Sequence, residues 1–225
     1  MRYLFLCLVG MIIQALFIYF EKKKKYVAAV ILKGLASCAF VALGILSRSL
    51  SQNDSFSKLI VIGLILGAIG DVLLNLRFVF EKIGQKIFLL GIAAFLAGHI
   101  IYLVALIPLS ESLLISVIIG AVAAIITLYL IFTHIEKVKI AFKIFGVFYI
   151  GAVVVMTAVA LGNLATSPRS MQALLYAVGA VFFTASDIVL IFNTFTSKTK
   201  FSMRVANLSL YYLGQLLIAL SIQFI

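Results

Sequence analysis

Two aspartates, Asp71 and Asp187, stand inside long apolar runs of this chain, and a lysine, Lys33, stands inside a third. Carboxyl groups brought together away from water divide into a proton donor and a proton acceptor, which is the equipment of acid–base hydrolysis. Their cost demands a reason: a central aspartate costs about 2.5–3.5 kcal/mol on the insertion scale, so it must face the bundle interior or water and find partners. A purely structural alternative is an interhelical lock, with Lys33 bridging an aspartate or a protonated Asp71 bonded to tyrosine or glutamine. Such bonds average only about 0.6 kcal/mol in membranes, a weak return for two buried acids. Lys33 itself, about 12 Å beyond Lys25 at 1.5 Å per residue, either snorkels back to the headgroups or pairs with a carboxylate.

Other polar residues fall at similar depths when counted from the basic loops. Asp71 is 6 residues before Arg77, Asp187 is 11 before Lys198, Tyr149 is 6 after Lys143, and Tyr211 and Gln215 are 7 and 11 after Arg204. All are expected in one half of the membrane, with His99 nearer its middle, around a single cavity. His99 is either a helix-contact residue or, in that cavity, a group that orients water or holds a lipid phosphate. Other chemistries lack their residues. His99 and His134 make no metal-binding pair, no Gly-x-Ser-x-Gly is present, and phosphate-loop and dinucleotide fingerprints are absent, so no metal or cofactor is expected.

The elements that must position these groups follow from composition. The 225 residues are 65% hydrophobic and 11% charged, with a mean hydropathy of +1.27, outside the range of soluble domains. Apolar runs of spanning length cover about 2–20, 26–46, 58–76, 87–107, 112–132, 140–162, 172–192 and 204–225. Runs this long and unalternating are helices in lipid, which predicts an all-α polytopic bundle of eight transmembrane helices. The first run is expected to be retained as a helix, because its basic cluster Lys22 to Lys25 follows it and no cleavage site precedes Glu21. It is expected only to pack; the fifth, without a central ionisable residue, is expected to be peripheral; and segment 47–57 is expected to be a solvated connector. Cys7 and Cys38 both fall in spans and imply no disulfide.

The net charge of +11 is read as topology and contact with anionic membrane lipids, not as a nucleic-acid surface. Lys22 to Lys25, Arg77, Lys82, Lys86, Lys137, Lys139, Lys143, Lys198, Lys200 and Arg204 all fall at one end of the spans, against Arg2, Arg48, Lys58 and Arg169 at the other. The positive-inside rule then puts the basic end in the cytoplasm and both termini outside, as expected for a bacterial inner-membrane protein. A shift of 116 residues places Lys33 on Tyr149, Gly63 on Gly179, Asp71 on Asp187, Gly98 on Gly214 and His99 on Gln215. This suggests a single transmembrane domain of two parallel four-helix repeats, 1–110 and 111–225, with sites at their interface. The glycines are read as close-packing positions.

In order along the chain, Lys33, the block Gly70-Asp71-Val72-Leu73-Leu74, the stretch Gly91 to Tyr102 with Phe95 and His99, the block Gly179-Ala180-Val181-Phe182 to Ser186-Asp187, and Tyr211-Tyr212 with Gln215 resemble the YhhN-type lysoplasmalogenase family. One departure is Gly34 after Lys33, where the family pattern has proline. The resemblance implies a multi-pass hydrolase that cleaves the vinyl-ether bond of a lyso-ether phospholipid to a fatty aldehyde and a glycerophospho-alcohol. It further implies Asp71 and Asp187 as catalytic groups, in an order the sequence leaves open, and Lys33, His99, Tyr149, Tyr211 and Gln215 as candidates to bind the substrate. Two rivals remain. An intramembrane aspartyl protease is disfavoured by Ala68 in its Gly-x-Gly-Asp motif and by the lack of a Pro-Ala-Leu element. A proton-coupled small-molecule or lipid transporter suits the interior charges and parallel repeats but lacks a pair of broken helices.

Overall fold

In lipid no water is available to satisfy peptide groups, so each apolar run closes its hydrogen bonds within itself as a helix. The computed structural model of the chain describes residues 2–135, 140–196 and 199–225. Lys137, Lys139 and Lys198, used above as charge and depth markers, lie outside the described residues. The helices are α1 (Arg2–Lys22), α2 (Tyr26–Arg48), α3 (Asp54–Leu76), α4 (Gly84–Leu106), α5 (Leu113–His134), α6 (Ile140–Thr166), α7 (Met171–Phe195) and α8 (Phe201–Ser221). All eight are long and apolar enough to cross a membrane, and among the described residues there is no strand. The protein is an integral, multi-pass helical bundle.

Each apolar run became one helix, and the ends moved for local reasons. Segment 47–57 is shorter as a connector than expected. Ser47 is buried within α2, and α3 starts at Asp54 because the Asn53 side chain accepts a hydrogen bond from the Phe56 amide at 3.0 Å. An asparagine in this role satisfies one of the free amides of the first turn. Ser170 caps α7 in the same way, accepting from the Ala173 amide at 3.1 Å. α2 runs unbroken past Gly34.

Six helices close a ring in which α2 packs on α3, α3 on α4, α4 on α6, α6 on α7, α7 on α8, and α8 back on α2. α1 lies against α2, and α5 against α6. These two flanking helices bury least, 17% and 22% of their spans, so most of their surface is left for lipid, as expected for the fifth. The ring is filled by Phe40, Leu43, Leu64, Tyr102, Tyr176 and Phe183, each fully buried. Glycines set the tightest crossings. A Cβ on Gly98 would lie 3.3 Å from the Gly63 carbonyl, and one on Gly214 would lie 2.8 Å from the Gly179 carbonyl.

Candidate active site

Lys33 and Ser37 are one turn apart on α2 and therefore face the same way. α3 presents Asp71 to them. Ser37 Oγ donates to Asp71 Oδ2 at 2.6 Å, Tyr211 of α8 donates to the same oxygen at 2.7 Å, and Lys33 Nζ stands 3.4 Å from Oδ1. Both members of the ion pair are buried, Lys33 with 1% and Asp71 with 4% of its surface exposed. Lys33 also donates to Gln14 Oε1 at 3.4 Å and lies over the Tyr211 ring, 4.5 Å from its centroid. Lys33 therefore does not snorkel. Of the two readings open to it, the structure shows the pairing with a carboxylate.

Asp187 has a different setting. Tyr149 of α6 donates to its Oδ2 at 2.6 Å, and among the described residues no ammonium, guanidinium or second donor reaches the carboxyl group. Asp187 is buried to the same degree as Asp71, with 4% exposed. Three donors including an ammonium are what an ionised carboxylate requires, whereas a single phenol and an apolar surround suit a neutral acid.

Both acids line one narrow cavity of about 80 Å³ that is partly open to the outside. Lys33, Tyr149 and Tyr211 line it as well, so the structure brings five of the seven residues singled out from sequence around one void. Leu74, Phe88, Ile92, Leu190 and Leu208 supply apolar walls, and toward the basic end the lining becomes Asn75, Arg77, Thr194, Arg204 and Asn207.

His99 and Gln215 are not on that lining. His99 Nδ1 donates to the Phe95 carbonyl at 2.7 Å, its ring meets Tyr102, Tyr149 and Phe183 edge to face, and its Nε2 is buried without a partner. Gln215 accepts from the Tyr102 hydroxyl at 2.9 Å. Both are buried against Tyr102, His99 edge to face with its ring and Gln215 bonded to its hydroxyl.

Several polar residues were missed. Gln14 joins α1 to the site, donating to the Leu208 carbonyl at 3.3 Å while accepting from Lys33, so α1 does more than pack. Ser37 carried a signal, its i+4 spacing from Lys33. Asn75, four residues after Asp71, and the series Arg204, Asn207, Tyr211 carried the same signal of one shared helix face. Asn207 Nδ2 donates to Ser186 Oγ at 2.8 Å, tying α8 to α7 beside Asp187.

Two guanidinium groups stand at the basic end of the cavity lining. Arg204 donates to Glu21 at 2.6 and 3.0 Å and to Asn207 Oδ1 at 3.3 Å. Arg77, just past the end of α3, lies over the rings of Phe88 and Phe78, 4.4 and 4.6 Å from their centroids. Burial, reinforced by Arg204, lowers the Arg77 pKa to about 10, which leaves it protonated at neutral pH. Among the described residues no three His, Cys, Asp or Glu side chains gather as a metal-binding group.

No curated protein and no solved structure matches the chain. The model of the YhhN family matches residues 27–222, from the start of α2 to the end of α8, and thus takes in both acids and every side chain that bonds to them; Gln14, which reaches Lys33, lies before it. The chain belongs to the YhhN family.

Proposed function

We propose that this protein is a membrane hydrolase that cleaves the vinyl-ether bond of a lysoplasmalogen, giving a fatty aldehyde and a glycerophospho-alcohol. The observation that carries the reading is the unlike pair of carboxyl groups on one largely apolar cavity. The resemblance to YhhN-type lysoplasmalogenases supplies the substrate class. The polar lining at the basic end suits a polar headgroup and the apolar walls suit an alkenyl chain.

The unlike settings suggest the division of labour. Asp187, neutral, gives its proton to the β-carbon of the enol ether, and the α-carbon becomes an oxocarbenium ion. Asp71, ionised and held by Ser37, Tyr211 and Lys33, stabilises that cation and takes a proton from the water that adds to it, leaving a hemiacetal. In the collapse, Asp187 takes the hemiacetal hydroxyl proton while Asp71 returns its proton to the departing glycerol oxygen. The carbon–oxygen bond to glycerol breaks, and both acids end as they began. Tyr149 and Tyr211 keep the two carboxyl groups aimed.

The test is aldehyde release from a lysoplasmalogen by purified protein, with Asp71→Asn and Asp187→Asn beside the wild type. Each substitution should lower the rate by about 100-fold or more, the scale of a positioned acid or base. In heavy water the aldehyde should carry one deuterium on the carbon next to its carbonyl. Retained activity in both variants, or an aldehyde without that deuterium, would sink the mechanism.

A further inference from the structure

The proposed reaction leaves Arg77 unused; its guanidinium meets the Phe78 and Phe88 rings, which supply no acceptor. Its Nε is buried without a hydrogen-bond partner, and no carboxylate or other acceptor among the described residues pairs with the guanidinium. The second guanidinium on the same cavity, Arg204, is already matched to Glu21. With Glu21 matched to Arg204, the Arg77 guanidinium on the cavity lining has no ion-pair partner among the described residues, and an anion would balance it. Lys33 cannot serve, because its ammonium is held by Asp71 and Gln14.

The spacing selects the anion. Along α3 Arg77 lies six residues beyond Asp71, a rise of about 9 Å. In a 1-alkenyl glycerophospholipid seven bonds separate phosphorus from the carbon that takes the proton. Seven bonds of about 1.5 Å in an extended zigzag reach about 8–9 Å. A phosphate seated at Arg77 therefore leaves the enol ether near the level of Asp71, on the cavity that Asp187 also lines. The guanidinium fork suits a phosphodiester, offering two parallel donors to two oxygens, and the Phe78 and Phe88 rings hold its plane.

We infer that Arg77 is the receptor for the phosphodiester of a single-chain lipid and sets the depth to which that lipid enters the cavity. For the reacting bond this rests on the vinyl-ether reading above; for the anion it stands on the unpaired guanidinium alone. The first measurement compares wild type, Arg77→Met and Arg77→Lys on a 1-alkenyl-glycerophosphocholine and on the corresponding phosphate-free 1-alkenyl glycerol. Arg77→Met should lower the preference for the phosphate-bearing lipid about 10- to 100-fold, mainly through KM, and Arg77→Lys by less, since charge survives without the fork. An unchanged preference overturns the inference. The second measurement is calorimetric binding of a 1-alkyl-glycerophosphocholine, whose saturated ether this chemistry does not cleave. Arg77→Met should weaken it by about tenfold or more, and Arg77→Lys carries the comparison if the Met variant does not fold. Equal binding overturns the inference. Inorganic phosphate titrated alone should bind far more weakly than the lipid; binding as tight as the lipid's would make this a free-anion site and overturn the lipid assignment. If wild type hydrolyses neither alkenyl substrate, the vinyl-ether reading fails, while the binding comparison still decides the role of Arg77.

Discussion

At the scale of single residues the site is an asymmetric pair. Asp71 accepts from Ser37 and Tyr211 and stands beside an ammonium, while Asp187 has one phenol. An ion pair buried this deeply is held by its completeness: removing one partner of such a pair destabilises by about 3–5 kcal/mol, because the remaining charge is left unmatched. Lys33→Met should therefore lower stability by that order in equilibrium unfolding from mixed micelles. Adding Asp71→Asn should recover most of the loss, since no carboxylate then needs the ammonium, while hydrolysis stays lost. If Lys33→Met unfolds with the wild type, Lys33 and Asp71 do not form an ion pair. The sequence marked both residues as too costly to be idle, but not that they meet. Snorkelling and pairing were both open to Lys33, and the rotation of α2 that turns it toward α3 chose between them.

At the scale of elements, the glycine crossings hold the site. Gly98 meets Gly63, and 116 residues later Gly214 meets Gly179. The neighbours follow the same shift: α1 on α2 as α5 on α6, α2 on α3 as α6 on α7, α3 on α4 as α7 on α8, and α4 on α6 as α8 on α2. This correspondence supports the proposal of two four-helix units with the acids on their equivalent third helices. The Gly214 crossing should be the less forgiving kind, because an added Cβ meets backbone, the Gly179 carbonyl at 2.8 Å and the Phe183 amide nitrogen at 3.1 Å. Gly214→Ala should cost about 1–3 kcal/mol in the same unfolding measurement and reduce hydrolysis, since α7 carries Asp187 and α8 carries Tyr211. Gly151→Ala, where a Cβ would meet nothing within 4 Å, should be neutral or stabilising by up to about 1 kcal/mol. Equal behaviour of the two would mean that close approach of α7 and α8 is not what the glycine provides. Helix existence was legible because each span is long and uninterrupted. Helix ends were less so: Asn53 capping α3 is a local hydrogen bond inside a stretch that reads as a polar loop.

At the scale of the whole molecule, the lining of the cavity reaches the end that carries Arg77 and Arg204. The positive-inside rule supports the proposal that this end is cytoplasmic. In a background with Cys7 and Cys38 replaced by serine, Lys23→Cys should resist a membrane-impermeant thiol reagent in intact cells, while Gln52→Cys, in the α2–α3 connection, should react. The opposite pattern would invert the topology and place the basic end outside. The sequence by itself determined that the chain is a bundle of eight spanning helices and that its interior carries acids, a lysine and tyrosines, because lipid leaves the backbone no other closed structure and makes buried charge conspicuous. It could not determine which polar groups touch. On helices that are apolar all round, no stripe marks the inward face, so rotation about each axis is decided only by how neighbours interlock. That interlocking ties Lys33 to Asp71, draws Gln14 into the site, and sets His99 and Gln215 against Tyr102. It also leaves Arg77, a topology marker in the sequence, as an unpaired cation on the cavity of the two aspartates.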